Sequence, residues 1–246
     1  MTDQLKVERC HKLVRVVFGG EFVASSANTL LVWERPYYPT YYFPEGDVNT
    51  ELLAPLTEIK KTALGEAHQS TVKAGGREAS AAAYTYPESP FHQIRHYFAF
   101  VWRAMDHWFE EDEEVYVHPR DPYTRVDTLA SSRRVRIEID GLTVADSSHP
   151  TLLFETGLPV RYYLPKTDVR LDLLEPSDRT TECPYKGTAE YSTAHVGGNA
   201  HENVVWSYPF PTLEAVKIAG LMCFYNERTD IYVDDELEER PVTAFS

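Results

Sequence analysis

The apolar positions of this chain fall mostly in short segments where every second residue is hydrophobic. Val135–Ile139 alternates apolar with charged side chains, which is the pattern of a strand with one buried face. Asp140-Gly141 follows and favours a tight hairpin turn, and residues 142–145 form the return strand. Gly19-Gly20 stands at the equivalent point of the first half. The pattern predicts a chain of antiparallel hairpins.

Further turn signals extend this pattern through both halves. Gly197-Gly198 separates two strand-like segments at residues 188–196 and 200–206, and Gly75-Gly76 marks a corresponding hairpin in the first half. The 16 tyrosines and 16 prolines suit short strands joined by many turns. We therefore expect a mostly β fold.

Two segments with wider apolar spacing predict one helix in each half. Residues 91–108 follow a serine-proline pair, which suits a helix start, and they carry an aromatic face. Residues 212–227 begin with a threonine that can cap a helix, and their apolar side chains fall on one face. Each helix is expected to lead into a final strand, at residues 115–117 and 231–233.

The two halves of the chain are copies of one another. Residues 14–55 align with residues 135–176 without a gap, at an offset of 121 residues, and 16 of the 42 paired positions are identical. Such agreement indicates an internal repeat. We expect two compact domains related by a pseudo-two-fold axis, at residues 14–118 and 133–236. The rest of the chain divides into an N-terminal segment, a linker and a C-terminal tail, at residues 1–13, 119–132 and 237–246.

Charge and apolar content narrow the possible partners. The chain carries 24 basic and 38 acidic residues, a formal net charge of −14, which opposes the phosphate contacts that drive non-specific nucleic-acid binding. The same charge gives little attraction to an anionic membrane. Residues 1–13 lack the apolar run of a secretory signal, and no segment has the length of a membrane span. We therefore expect a cytoplasmic protein with neither nucleic-acid nor membrane partners.

The cysteines and histidines do not have the spacing of a metal site. Cys10, Cys183 and Cys223 are an odd number without a CxxC pair, so we expect reduced thiols. His92 and His96 are four residues apart, which suits a metal on a helix, but no third ligand accompanies them at a recognisable spacing. The glycine pairs stand between predicted strands and not before a helix, which is unlike a phosphate-binding loop. We predict neither a metal nor a cofactor.

The segment with the most reactive side chains is Cys183-Pro184-Tyr185-Lys186-Gly187, which has no counterpart in the first half. A thiol three residues from an ammonium group, on a turn fixed by proline, can be held as a thiolate nucleophile. The alternative is a structural hairpin turn, in which Gly187 takes a left-handed conformation and Cys183 is a small buried apolar side chain. Both interpretations are open at this point.

A glutamate ends the same apolar run in both halves. Glu34 and Glu155 stand where a carboxylate is unusual unless it is paired or faces a pocket. Each one either lines a cavity, as a ligand contact or a base, or accepts hydrogen bonds from its own domain. Tyr162 and Tyr163 are adjacent on a predicted strand, so one ring points to the core and the other to a surface or pocket.

Six blocks of the second half occur in the order that is typical of a known bacterial family. They lie at residues 153–165, 168–169, 174–176, 183–187, 206–209 and 224–227. On these blocks the second half resembles the "domain of unknown function 427" (DUF427) family, and the first half resembles a diverged copy. The resemblance implies a compact β-rich domain of tent- or barrel-like shape. The family also carries the label of a predicted nucleotidyltransferase.

These features favour the binding of a small molecule, with or without catalysis, in a pocket of the second domain or between the domains. The candidate catalytic residues are Cys183, Lys186 and Glu155. The candidate ligand contacts are Glu155, Arg161, Tyr162, Tyr163 and Trp206. One alternative is a non-catalytic protein-interaction module whose acidic surface meets a protein partner. A third is the metal-dependent nucleotidyltransferase that the family label implies.

Overall fold

The computed structural model describes residues 5–243 of the chain. The chain divides into two compact units with a boundary between Asp121 and Pro122. Residues 1–4 of the predicted N-terminal segment and residues 244–246 of the predicted tail lie outside the described residues. No helix in the described part of the chain is long and apolar enough to cross a membrane.

The first unit is built from two antiparallel sheets. Its strands are β1 Val7–Arg9, β2 Val14–Phe18, β3 Glu21–Ser26, β4 Leu30–Val32, β5 Thr40–Pro44, β6 Leu53–Thr62, β7 Gly65–Ala74, β8 Arg77–Thr85, β9 Tyr97–Phe100, β10 His107–Glu110 and β11 Glu113–Glu114. Seven strands form an open sheet in the order β1-β4-β5-β9-β8-β7-β6, and four form a second sheet in the order β11-β10-β2-β3. Short 3₁₀ helices lie between the strands, at Glu45–Asp47, Thr50–Leu52, His92–Ile94 and Trp102–Ala104.

The second unit has the same arrangement. Its strands are β12 Val126–Ala130, β13 Val135–Ile139, β14 Leu142–Ser147, β15 Thr151–Glu155, β16 Arg161–Leu164, β17 Leu174–Cys183, β18 Gly187–Val196, β19 Asn199–Ser207, β20 Met222–Phe224, β21 Asp230–Val233 and β22 Glu236–Leu237. The sheet orders are β12-β15-β16-β20-β19-β18-β17 and β14-β13-β21-β22. The 3₁₀ helices are Lys166–Asp168, Leu171–Leu173 and Leu213–Ile218.

The matching sheet orders confirm the mostly β fold and the tandem repeat. The hairpin predicted at Asp140-Gly141 joins β13 to β14, and the glycine pairs at residues 75–76 and 197–198 turn the chain between long strands. The repeat begins earlier than the ungapped alignment, because β12 pairs with β15 as β1 pairs with β4. The predicted linker of residues 119–132 therefore contains the first strand of the second unit.

The structure corrects the two predicted helices. Residues 91–108 contain β9, which pairs with both β5 and β8, because Tyr97, Phe98 and Phe100 fit a pleated, half-buried surface better than a helix. In the second unit a 3₁₀ helix of six residues precedes β20, and Thr212 donates its hydroxyl to the carbonyl of Tyr185 instead of capping a helix.

The strand predicted at residues 115–117 of the first unit is not formed. Its place is taken by β10, which pairs with β2 as β21 pairs with β13. The predicted strand at residues 231–233 lies within β21.

The buried apolar side chains are organised differently in the two units. In the second unit they form one continuous cluster that extends from Val135 to Val233 along the chain. In the first unit they form two clusters, and the smaller one contains Tyr42, Leu64 and Tyr86. The core of the first unit is therefore divided into two parts, whereas the core of the second unit is continuous.

The hairpin turns of each unit make contacts of different kinds. In the first unit the β2–β3 and β7–β8 turns meet through backbone, because a Cβ atom at Gly75 would collide with the carbonyl oxygen of Gly19. In the second unit Asp140 replaces Gly19 in the same left-handed conformation, with φ of +50°. Its carboxylate accepts hydrogen bonds from Nδ2 of Asn199 at 3.3 Å and Nε2 of His201 at 2.9 Å.

This difference predicts unequal effects of the same substitution in the two units. Gly75 and Gly197 have φ of +56° and +59°, but nothing lies within 4 Å of a Cβ built at Gly197. Gly197→Ala should therefore cost only the strain of a left-handed alanine, about 1–2 kcal/mol. Gly75→Ala adds a backbone collision, for which we expect a further loss of about 1–3 kcal/mol. Urea unfolding of both variants measures the difference, and equal losses would contradict the backbone contact.

Candidate functional site

The structure brings together two of the predicted catalytic residues, Lys186 and Glu155. Glu155 is the last residue of β15, and Lys186 lies in the turn between β17 and β18. Nζ of Lys186 donates to Oε2 of Glu155, and only 11% and 10% of the two side chains is exposed. Each charge thus supplies the partner that the other needs in a buried position.

The turn that holds Lys186 has the geometry of the structural alternative. Cys183 pairs with Gly187 across the hairpin, and the backbone N–H of Lys186 donates to the carbonyl of Cys183 at 3.3 Å. Gly187 has a φ of +95°, a conformation that favours glycine. The turn therefore directs the Lys186 side chain to Glu155, and within residues 5–243 no hydrogen bond joins the thiol of Cys183 to the ammonium group of Lys186.

The three cysteines are free thiols in different environments. Cys183 is half-buried, whereas Cys10 and Cys223 are 5% and 0% exposed. Burial raises the pKa of Cys223. Tyr208 lies close to Cys183 and Glu155, and its burial raises its pKa. Cys183 is thus the most accessible thiol of the three, and its catalytic role stays a prediction.

Arg161 is held by internal contacts. Its guanidinium donates to both carboxylate oxygens of Glu227, at 2.7 and 2.8 Å, and to Oδ1 of Asn226 at 2.9 Å. The same group lies 5.6 Å from the centre of the Trp206 ring. Burial lowers the pKa of Arg161, but the bonds to Glu227 outweigh it, and the pKa is raised overall. The pair therefore keeps its charges, although the Arg161 side chain is only 8% exposed.

The two adjacent tyrosines point in opposite directions, as their positions on β16 require. The hydroxyl of Tyr163 accepts a hydrogen bond from Nε1 of Trp206 at 3.1 Å, inside the second unit. Tyr162 lies near Arg133 and Glu238 instead. The ligand-binding role of Arg161, Tyr162, Tyr163 and Trp206 stays a prediction.

The first unit contains a pocket of about 730 Å³. Aromatic side chains form much of its wall, namely Tyr38, Tyr41, Tyr84, Tyr86, Phe100, Trp102 and Trp108. Trp102 and Trp108 stack with ring centres 4.4 Å apart, and Tyr38 stacks on His118 at 3.9 Å. Burial lowers the pKa of His118, which favours its neutral form. The charged residues of the lining are Glu34 and three exposed cations, Arg35, Lys60 and Arg103.

Glu34 is fixed in this pocket by two tyrosines. Oε1 accepts hydrogen bonds from the hydroxyls of Tyr42 and Tyr84, both at 2.9 Å. Burial first, and then the charge of Glu34, raise the pKa of both tyrosines, so they stay protonated and can donate. Within residues 5–243, Oε2 receives no hydrogen bond and Glu34 forms no ion pair. The carboxylate thus presents one oxygen without a partner from this chain.

Strand register shows which residues of the second unit correspond to this pocket. Gln69 pairs with Tyr84 as Tyr191 pairs with Trp206, so Gln69 corresponds to Tyr191 and Tyr84 to Trp206. The pairing of the neighbouring strands identifies further equivalent residues in the same way. At five lining positions the second unit has the larger side chain. The pairs are Thr40 and Arg161, Leu64 and Lys186, Gln69 and Tyr191, Tyr84 and Trp206, and Val101 and Tyr225.

The larger side chains of the second unit pack against one another. Trp206 and Tyr225 have ring centres 4.6 Å apart, and Tyr191 stacks on Tyr225 at 6.5 Å. All three are 7% exposed, and Lys186 is 9% exposed. These side chains fill in the second unit the space that is open in the first.

The sequence favoured a pocket in the second half or between the halves, and it did not indicate the one in the first half. One signal was present in the ungapped repeat, where Thr40 replaces Arg161. The other substitutions were hidden, because the turn between β6 and β7 is one residue shorter than the turn that contains Lys186. Past this turn the offset of 121 residues no longer pairs equivalent positions. Only the strand register aligns Leu64 with Lys186.

The predicted absence of a metal site concerned His92 and His96. His92 lies in a 3₁₀ helix and His96 precedes β9, so no α-helix places them on one face. Among the described residues, no group of three or more His, Cys, Asp or Glu side chains has the arrangement of a metal site.

Fold and site together define a tandem β-sheet protein in which one copy keeps an aromatic pocket and the other fills it. The chain belongs to the family described as a domain of unknown function (DUF427), whose model matches residues 6–111 and 127–235. The two matched regions correspond to the two structural units. A search of curated proteins found no match.

The two glutamates should respond differently to the same substitution. Glu155→Gln leaves the ammonium of Lys186 buried without a counter-ion, and we expect a loss of about 3 kcal/mol in the free energy of unfolding. In Glu34→Gln the amide oxygen still accepts both tyrosine hydroxyls, so the loss should be about 1 kcal/mol or less. Urea unfolding measures both.

The control is the double variant Glu155→Gln with Lys186→Met, which removes both charges. It should recover most of the stability lost in Glu155→Gln alone, because no uncompensated charge is left. If Glu155→Gln and Glu34→Gln cost the same, the ion pair contributes nothing beyond a hydrogen bond.

Exposure predicts the order in which the thiols react. Iodoacetamide should modify Cys183 faster than Cys10 or Cys223, because the latter two are buried and burial also disfavours the thiolate of Cys223. Mass spectrometry of native protein across a pH series gives the three rates. Slower labelling of Cys183 than of the buried thiols would exclude it as an accessible nucleophile.

Proposed function

We propose that the first unit binds a small organic molecule in its aromatic pocket. The observation that carries this proposal is a cavity of about 730 Å³ around Glu34, whose second carboxylate oxygen has no partner within the described residues. Ligand sites commonly have this volume and combine apolar walls with a few placed polar groups. The arrangement therefore suits a ligand of modest size that is oriented by one carboxylate.

The internal repeat supports the same proposal. The second unit shows that this fold can close the space with its own side chains, in particular Tyr191 and Tyr225. An open cavity lowers stability, because its lining loses packing contacts. Stability therefore does not explain the open pocket in one copy, whereas ligand binding does.

Different lining residues would contact different parts of a ligand. The stacked Trp102 and Trp108 offer flat apolar surface, and the buried Tyr86 accepts a hydrogen bond from Oγ1 of Thr62 at 3.3 Å. Glu34 is oriented before any ligand arrives, because Tyr42 and Tyr84 hold it. Pre-oriented groups lose little entropy on binding, which favours affinity.

A variant that copies the second unit tests the proposal. Gln69→Tyr places a tyrosine where the second unit has Tyr191, and it should fill the pocket without disturbing the strand. In a fragment screen by ligand-observed NMR, compounds that bind the natural protein should lose most of their binding to this variant. Binding should also change the tryptophan fluorescence, and Trp102→Phe should reduce that change, since this ring lines the pocket.

Lys73→Tyr is the matched control, because Lys73 lies on the same strand but is exposed and outside the pocket. It should bind fragments like the natural protein. The proposal fails if no fragment binds the natural protein, or if bound fragments are unaffected by Gln69→Tyr.

A further inference from the structure

We infer that the ligand of this pocket carries a primary alkylammonium group, which binds to the free oxygen of Glu34. This inference rests on the proposed function and names the chemical class of the ligand. It follows from comparing one site in the two copies, where the same carboxylate is satisfied in two different ways.

The second unit shows what its version of the site binds. Glu155 is the repeat equivalent of Glu34, and the group that contacts its Oε2 is the ammonium of Lys186. Lys186 is aligned with Leu64 by the strand that follows the turn, because Gly65 and Gly187 begin equivalent strands and each residue directly precedes its glycine. The second unit therefore carries a built-in alkylammonium group on a four-carbon chain, supplied by the protein itself.

The first unit lacks this ammonium group but keeps the carboxylate. Leu64 has a shorter, uncharged side chain than Lys186, and it lines the pocket together with Glu34. The two tyrosine hydroxyls are neutral donors, so they orient the carboxylate without cancelling its charge. A partly buried carboxylate without a cation is an unfavourable arrangement. A ligand ammonium group at the position of Lys186 Nζ would complete it.

The walls of the pocket suit the same group. Tyr84, Tyr86 and Trp102 line the cavity with aromatic rings, whose faces attract cations. Aliphatic carbons next to the ammonium group would pack against these rings and against Leu64. The site is thus polar at one point and apolar around it, and in the second unit the equivalent ammonium group is likewise largely buried, with 11% of the Lys186 side chain exposed.

The rim adds a second element of selectivity. Arg35, Lys60 and Arg103 are exposed, line the pocket, and form no ion pair within residues 5–243. They repel a molecule with several positive charges and attract a carboxylate or phosphate at the outer end of a ligand. We therefore expect a zwitterion, with its ammonium group on Glu34 and its anionic group at the rim, to bind better than a simple amine.

Three probes of matched length test the inference. n-Butylamine reproduces the side chain of lysine, 5-aminopentanoate adds an anionic end, and pentanoate lacks the ammonium group. Ligand-observed NMR and calorimetry at neutral pH should show binding in the order 5-aminopentanoate, n-butylamine, pentanoate. Glu34→Gln should weaken both amines about tenfold or more, because it removes the charge from the hydrogen bond.

Leu64→Lys is the sharpest variant, because it copies the second unit. Its own ammonium group should occupy Glu34 and abolish binding of both amines. Leu64→Met is the matched control, since methionine has a similar length without the charge, and it should retain more amine binding than Leu64→Lys. If Leu64→Lys does not fold, the comparison of natural protein with Glu34→Gln still decides the question.

The outcomes separate this inference from the proposed function. If fragments without an amine bind and are lost in Gln69→Tyr, while neither amine binds, the pocket binds small molecules and the ammonium inference is overturned. Amine binding that is unchanged in Glu34→Gln also overturns it. If nothing binds the natural protein, both proposals fail. Amine binding that is lost in Glu34→Gln and Leu64→Lys supports both.

Discussion

A carboxylate at the end of an otherwise buried strand is the constraint around which both copies of this fold are organised. Glu34 and Glu155 occupy the same position of the repeat, where Glu155 ends β15 and Glu34 follows β4 by two residues, and water is partly excluded from both. A charge in such a place needs hydrogen bonds or an opposite charge. The first unit supplies two tyrosine hydroxyls, and the second supplies Lys186. The side chains around the two glutamates differ between the copies according to which of these partners the carboxylate has.

The two solutions have opposite consequences for packing. Lys186 reaches Glu155 from the turn before β18, and the apolar side chains of the second unit, among them Tyr191, Trp206 and Tyr208, form one continuous cluster. In the first unit Leu64 lines the open pocket, and the core separates into two clusters. One sheet order thus supports a filled copy and an open copy. The difference lies in a few side chains and in a turn that is one residue shorter.

Much of the architecture could be predicted from the sequence, because short-range signals determine it. Asp140-Gly141 and the glycine pairs require positive φ angles, and alternation identifies the buried face of strands such as β13. The repeat then extends these signals from one half to the other. The predictions of two helices were wrong for a physical reason. Aromatic residues at 97–100 satisfy a helical apolar pattern as well as a strand pattern, and only pairing with β5 and β8 decides between them.

The site was harder to predict, because its chemistry depends on contacts between distant strands. The sequence indicated that Glu155 and Lys186 were chemically important, but not that they bind each other across 31 positions. It also favoured the second half, since reactive side chains are easy to see in a sequence and missing volume is not. A pocket is defined by the side chains that are absent, and their absence at Thr40, Gln69 and Val101 has meaning only beside the larger residues of the other copy.

The open copy also keeps features that compensate for its cavity. Trp102 and Trp108 stack at 4.4 Å with an angle of 6°, and Tyr38 stacks on His118 with an angle of 11°. The second unit has Asn226 at the position of Trp102, where it binds Arg161 and the carbonyl of Val160. Rigid aromatic pairs therefore support the pocket walls where the second unit uses a buried ion pair and a filled core. Stacked rings of this kind oppose the relaxation by which neighbouring side chains fill a packing defect, so the cavity differs physically from such a defect.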